Sequence, residues 1–292
     1  MKKFRIGIVT MEATPWELEE NFQRMEEYVR EAARRRAHLV IAPEGILDGY
    51  VCGADPNATE EGMVGIAQSV PDGPYLKRGG ALAKELGIYL IFGFLEKDGE
   101  ELFNSCALFD PEGAIVGKFS KVHTAGEAFI TPGRELAPFD TPLGRVGMLI
   151  CKDRSVPDNF RALGVQGTEI VFLPMDGAGG PANTETLRQR ARDNACWIIV
   201  ANTWSCAIID PTGDIYLEKY ESECVSVQRV GPDDEKKEGL RSRFRHRRPD
   251  LYDPISKSYE DGSFYDEGGH TTEKGTASGT ALREFVRKRT RM

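Results

Sequence analysis

Glu44, Lys121 and Cys151 are the residues of this chain whose types combine into covalent chemistry. A cysteine thiol is mostly protonated near neutral pH, and it needs a base or a neighbouring cation before it attacks a carbon. A glutamate can take the thiol proton. A lysine ammonium can stabilise both the thiolate and the oxyanion formed when a carbonyl is attacked, and the backbone N–H of Lys152 would be a second oxyanion donor. No histidine is required, although His123 lies two residues beyond Lys121. Taken singly, Cys151 reads as a small buried hydrophobe, and Glu44 and Lys121 read as surface charges. Their common placement groups them: each ends or follows an apolar run expected to be a strand, namely HLVIA, AIVGKFS and RVGMLIC. Sites in layered α/β folds gather at the carboxyl ends of strands.

The elements that must position these residues follow from periodicity. Residues 4–10 (FRIGIVT) read as a buried strand. Thr14-Pro15-Trp16-Glu17 reads as a helix start, with Thr14 as cap, Pro15 at the first helical position and Glu17 completing a capping box. Leu18, Phe22, Met25, Val29 and Ala32 then recur at spacings of four and three, the stripe of an amphipathic helix. Residues 74–86 read as a helix and 88–95 as a strand. LFNSCALFD and AIVGKFS read as strands joined at Pro111-Glu112-Gly113. RVGMLIC, EIVFLP, WIIVAN, SCAIID, IYLE and CVSVQRV supply further strands, with helices near 157–166 and 183–195 and a second hairpin at Pro211-Thr212-Gly213. This order predicts an α/β fold, a mixed-sheet sandwich with helices on both faces. No internal repeat is read, and no linker before about residue 231.

Composition excludes several function classes. Among 292 residues, 38 Lys+Arg against 46 Asp+Glu give a formal charge of −8, which argues against a general nucleic-acid binder. No apolar run approaches the roughly 20 residues of a membrane span, and the N-terminal MKKFRIGIVTMEATP does not read as a secretory signal. The six cysteines (Cys52, Cys106, Cys151, Cys196, Cys206 and Cys224) form no CxxC pair, and the four histidines are scattered. The expectation is a reduced cytoplasmic protein with free thiols, no metal and no cofactor. Residues 231–292 carry 14 basic and 12 acidic side chains, which leaves 24 and 34 in the first 230 residues. The basic cluster RSRFRHRR (241–248) reads as a solvated arm or as a contact to an acidic partner subunit.

The local sequences around the three residues resemble the nitrilase superfamily of carbon–nitrogen hydrolases. The resemblance covers about residues 4–230 and rests on APEG around Glu44, GKFSKVH through Lys121, CKDRSVPDNFRALGVQGTEIVFLP from Cys151, and RQRARDNACWIIVAN at 188–202. It implies a four-layer α-β-β-α sandwich at 1–230; residues 231–292, which it does not cover, read as a C-terminal extension that is an oligomerisation arm or partly flexible. It also implies a homodimer or a higher even-numbered homo-oligomer. The family's Glu-Lys-Cys triad falls on Glu44, Lys121 and Cys151. The cysteine forms a thioester or related acyl-enzyme, and the glutamate acts as base, then as acid, then activates water. A second family glutamate, before a Pro-Gly, falls on Glu127, with Glu135 as the other candidate.

The resemblance also narrows the substrate to a small amide or carbamoyl compound, with a nitrilase proper and a catalytically idle scaffold or binding member as the alternative readings. Lys152-Asp153 stands where nitrilases proper usually have Trp-Glu, which points to the amidase and N-carbamoyl-amino-acid amidohydrolase branches. In the latter, an arginine at the place of Arg154 helps hold a substrate carboxylate; a second arginine follows it there, but here Ser155 stands in its place. Asp158 replaces a common family glutamate. The loop after Asn202 is reduced to Thr203-Trp204, which predicts a more open pocket or one closed by the tail or a neighbouring subunit. Lys152, Arg154, Tyr50, Trp204, Met175 and Asp176 are the expected pocket residues, with Cys52 beside Tyr50.

Overall fold

The structure is a computed structural model that describes residues 3–124, 126–177, 179–231 and 242–256. Among the described residues, twelve strands and six α-helices make up its body. The first half runs β1 (Phe4–Thr10), α1 (Leu18–Arg34), β2 (Leu39–Ile41), α2 (Val51–Ala54), α3 (Glu60–Ile66), α4 (Pro74–Leu86), β3 (Tyr89–Asp98), β4 (Glu101–Phe109) and β5 (Ile115–Ser120). The second runs β6 (Phe139–Thr141), β7 (Gly144–Met148), α5 (Pro157–Val165), β8 (Ile170–Met175), α6 (Pro181–Asn194), β9 (Trp197–Asn202), β10 (Cys206–Ile209), β11 (Ile215–Lys219) and β12 (Cys224–Val230). Among the described residues no helix is long and apolar enough to cross a membrane.

The strands form two six-stranded sheets, ordered β12-β1-β2-β3-β4-β5 and β11-β10-β9-β8-β7-β6. Alternation along each strand decides what each face buries. On β1, Ile6 and Ile8 join the core between the sheets, whereas Val9 packs with Val29 and Ala32 of α1. The inter-sheet core continues through Ile41, Ile91, Leu108, Phe172 and Ile199, all under 1% exposed. Helices α1 and α4 cover the first sheet, and α5 and α6 cover the second. The architecture is the expected α-β-β-α sandwich, and α4 keeps its expected bounds.

Three expectations are corrected. Helix α1 begins at Leu18 rather than Pro15, and Thr14 does not cap it. Trp16 takes a left-handed φ of 71° because its chain is drawn toward the loop after β2: its N–H donates to Asp48 O (3.0 Å) and its indole Nε1 to Asp55 Oδ2 (2.8 Å). Thr14 instead exchanges hydrogen bonds with Asn21, at 2.8 and 2.7 Å. The second correction concerns Cys151, which does not close its strand. β7 ends at Met148, and Cys151 opens a 3-10 turn, Cys151–Ser155.

The third correction is that the fold does repeat. In both sheets three neighbouring strands run parallel (β1-β2-β3, β7-β8-β9), two antiparallel strands follow, and one antiparallel strand closes the other side. The two hairpins carry SCALFDPEGAI at 105–115 and SCAIIDPTGDI at 205–215. In each, the aspartate N–H donates to the residue four ahead and the glycine N–H returns to the aspartate carbonyl, all at 2.9 Å. Asp110 and Asp210 accept further backbone N–H bonds through Oδ1, the Asx geometry that makes Asp-Pro-x-Gly a turn. The expectations for residues 232–241 and 257–292 concern positions outside the described residues.

Candidate active site

Glu44 lies in the loop after β2 and is buried between the sheets. That loop crosses β3 so closely that a Cβ on Gly93 would meet Gly45 N at 2.5 Å and Glu44 Cα at 2.9 Å. Glycine at 93 therefore lets the carboxylate reach inward. Lys121 follows β5 directly, and its backbone is anchored on both sides: its N–H donates to Asn104 O (2.8 Å) and its carbonyl accepts from Gly133 N (2.7 Å). Lys121 Nζ donates to Glu44 Oε1 (2.7 Å) and to Glu127 Oε1. Asn104 Nδ2, on β4, donates to the same two oxygens at 2.8 and 3.0 Å. Tyr50 completes the cluster, its hydroxyl 2.8 Å from Glu127 Oε1 and its ring 5.5 Å from Lys121 Nζ.

Cys151 joins this cluster through a backbone. The Asp176 N–H donates to Glu44 Oε2 at 2.8 Å, and the Asp176 carbonyl lies 3.4 Å from Cys151 Sγ. Residue 176 follows β8, so three strand ends (β2, β5, β8) and the turn after β7 converge on one point. Cys151 has φ 40°, a left-handed conformation that costs a non-glycine residue about 1–2 kcal/mol. Arg154 packs against the thiol: Nη1 lies 2.7 Å from Cys151 O and 3.4 Å from Sγ, and Nε donates to Asn183 Oδ1 at 2.5 Å.

Burial shapes the protonation states. It pushes the Cys151 thiol up to about 12, helped by the Glu44 charge and opposed by Lys121 and Arg154. Burial alone would lower Lys121, but Glu127 and Glu44 outweigh it and hold the ammonium well above its ordinary value. Glu127 is raised by burial despite the Lys121 charge. Its Oε2 is buried without a hydrogen-bond partner among the described residues. A buried carboxylate oxygen with no donor is costly unless a ligand or water supplies one.

The sequence profile of the carbon-nitrogen hydrolase family matches residues 5–230. The chain belongs to the carbon-nitrogen hydrolase family. Curated relatives of this family member include omega-amidase NIT2 of Homo sapiens, 28% identical over 281 residues that cover 86% of this chain and 98% of that protein. A nitrilase of Pyrococcus abyssi is 29% identical, covering 68% of this chain and 74% of that protein. Among solved structures, the carbon-nitrogen hydrolase of Helicobacter pylori shares the fold with a TM-score of 0.75 at 19% identity, covering 88% of this chain and 99% of that one. An amidase from Nesterenkonia sp. does so with a TM-score of 0.71 at 21% identity, covering 86% and 96%.

Within this carbon-nitrogen hydrolase, Glu127 rather than Glu135 meets Lys121; Glu135 is exposed and lines a separate groove with Arg134 and Phe139. Three expected pocket residues are placed as follows. Met175, the last residue of β8, is wholly buried in the core. Lys152 is exposed on the 3-10 turn, pointing its charge to solvent. Trp204 donates its indole N–H to Gly177 O (2.8 Å) and packs near Tyr220, so it braces the loop after β8. Cys52 is buried with Val51 and Met63, and its carbonyl accepts from Ala128 N (2.9 Å) beside Glu127.

Asn104, the Asp176 backbone and Asp153 were missed. Asn104 had a visible signal, an amide in the apolar strand LFNSCALF, where a buried polar group must have partners. The role of the Asp176 backbone has no side-chain signature at all.

Proposed function

We propose that this chain hydrolyses the C–N bond of a small carboxamide or N-carbamoyl compound and releases ammonia. The observation that carries the reading is the buried cluster in which Lys121 is shared between Glu44 and Glu127 and linked to Cys151 by Asp176. A thiol raised to about 12 is neutral at working pH, so its proton must leave as the sulfur attacks. Glu44 accepts that proton while Sγ bonds to the carbonyl carbon and the C=O pair moves to oxygen. An ammonium has three N–H donors. Two of those of Lys121 serve Glu44 and Glu127, and the third is left for the oxyanion, beside the Lys152 backbone N–H. Collapse breaks the C–N bond, and the Glu44 proton goes to the departing nitrogen. Glu44 then takes a proton from water as the water oxygen bonds to the thioester carbon; the C–S bond breaks and that proton passes to the Cys151 sulfur, which restores the thiol and the carboxylate.

The unpartnered Glu127 Oε2 is suited to accept a substrate N–H, which selects an amide nitrogen over the bare nitrogen of a nitrile. The near-complete overlap with an omega-amidase supports the same choice. Arg154 offers a guanidinium beside the thiol for a substrate carboxylate, provided its bond to Asn183 yields. The test is an ammonia-release screen over amides, carbamoyl amino acids, carbamoyl amines and nitriles. Turnover of an amide or carbamoyl compound that Cys151→Ala abolishes supports the reading. Turnover of nitriles alone, or activity surviving in Cys151→Ala, refutes it. Residues 231–292 and a second copy of the chain are proposed to help close the pocket; truncation near residue 232 with unchanged turnover and assembly would remove that role from the tail.

A further inference from the structure

Asp153 stands two residues past Cys151, is wholly buried, and has no part in the mechanism above. Its carboxylate spans two loops. Oδ2 accepts from Ile150 N at 3.0 Å, the residue just before the nucleophile. Oδ1 accepts from His123 N at 2.9 Å, two residues past Lys121, and lies 2.9 Å from His123 Nδ1. A carboxylate only accepts, so Nδ1 carries the proton in this contact. Asn159 secures the same corner, donating from Nδ2 to Asp153 O at 2.9 Å, with His123 Nδ1 3.2 Å away. One buried carboxylate thus ties the backbone carrying Lys121 to the backbone carrying Cys151.

The left-handed φ of Cys151 makes such a tie necessary. A strained nucleophile persists only where its surroundings over-determine it. The Lys121 loop and the 3-10 turn come from opposite sheets, and no strand pairing joins β5 to β7. We propose that Asp153 and His123 form a positioning pair that sets the Cys151 thiol against Lys121 and Glu44. The inference rests on the reading of Cys151 as the nucleophile. The pair touches no substrate; it acts through the two backbones.

The test uses iodoacetamide on the full chain and follows each cysteine by peptide mass. Cys224, partly exposed, is the internal reference, and Cys106, fully buried, reports unfolding. In His123→Phe and Asp153→Asn the Cys151 to Cys224 rate ratio is expected to fall about 10- to 100-fold, since a misplacement near 1 Å costs on that order. Cys106 stays protected. In His123→Asn, which restores a donor toward Asp153, the ratio is expected to return to within about threefold of the parent. An unchanged ratio in His123→Phe, a fall that comes only with exposure of Cys106, or no recovery in His123→Asn overturns the pair's role. If Asp153→Asn does not fold, the His123 variants decide, because that side chain is 20% exposed. A parent Cys151 that reacts no faster than Cys106 would instead overturn the nucleophile reading, and the pair with it.

Discussion

The half of the molecule ending in β5 and the half ending in β11 share a strand order, a parallel–antiparallel pattern and an Asp-Pro-x-Gly hairpin, yet they deliver different groups to the seam between them. The first supplies charge: Glu44 after β2, Lys121 after β5, and Asn104 on β4 to hold them. The second supplies the nucleophile on a strained turn after β7 and, after β8, a backbone rather than a side chain. Glu44 and Asp176 follow the middle parallel strand of each half. One contributes its carboxylate and the other its peptide group, and the two are bonded to each other. A duplicated scaffold therefore does not imply a duplicated site, because each strand end can present either chemistry.

The sharpest way to break this comparison is to remove one group from each half. Glu44→Gln and Cys151→Ala are each expected to lower turnover by at least about 10³-fold, and the double variant to be no worse than Cys151→Ala alone, as for residues acting as a unit. Additive losses in steady-state rates would mean that the halves work separately. A smaller contrast separates Asn104 from Trp204, which stand just before the two SCA repeats. Asn104→Leu strips a donor from Glu44 and Glu127 and should cost about 10- to 100-fold in kcat. Trp204→Leu only loosens a loop and should cost about threefold.

The hairpins give a comparison of stability. Gly113 and Gly213 have φ of 88° and 85°, so alanine is strained at both. A Cβ at 113 meets the Gly80 carbonyl oxygen at 2.6 Å, whereas at 213 it meets the flexible Arg192 Cγ at 2.8 Å. Thermal unfolding should show Gly113→Ala losing about 2–3 kcal/mol and Gly213→Ala about 1 kcal/mol. The last comparison is a pH dependence in the first half. Asp48, buried in the same loop as Glu44, is pushed up to about 7 by burial, although Leu95 N and Val51 N donate to it. The folded state then keeps a proton that the unfolded chain releases near pH 4, so stability falls as pH rises from about 4 to about 7 and is level above. Urea midpoints from pH 5 to 8 should fall in the parent relative to Asp48→Asn; parallel curves would refute this titration.

Much of the fold was legible because its signals are local. The apolar run of β1, the stripe of α1 and the Asp-Pro-x-Gly turns are local signals, and all appear in the structure. The start of α1 was not legible, because Asp48 and Asp55, more than 30 residues away, override the capping pattern at Thr14. The repeat was missed for another reason. Outside the two hairpins the halves keep only connectivity, which hydrogen-bond pairing preserves without preserving side chains.

For the site, the sequence by itself determined which residue types were present and that Glu44 and Lys121 followed strands. The tertiary structure decided which glutamate Lys121 would meet, that Met175 would be core while the Asp176 backbone would be site, and that Asn104 and Asp153 would hold the parts in place. The physical reason is that a buried charge must find its partners in space. Those of Glu44 come from β4, β5 and the loop after β8, up to 132 residues away, and only packing the two sheets face to face brings them within reach.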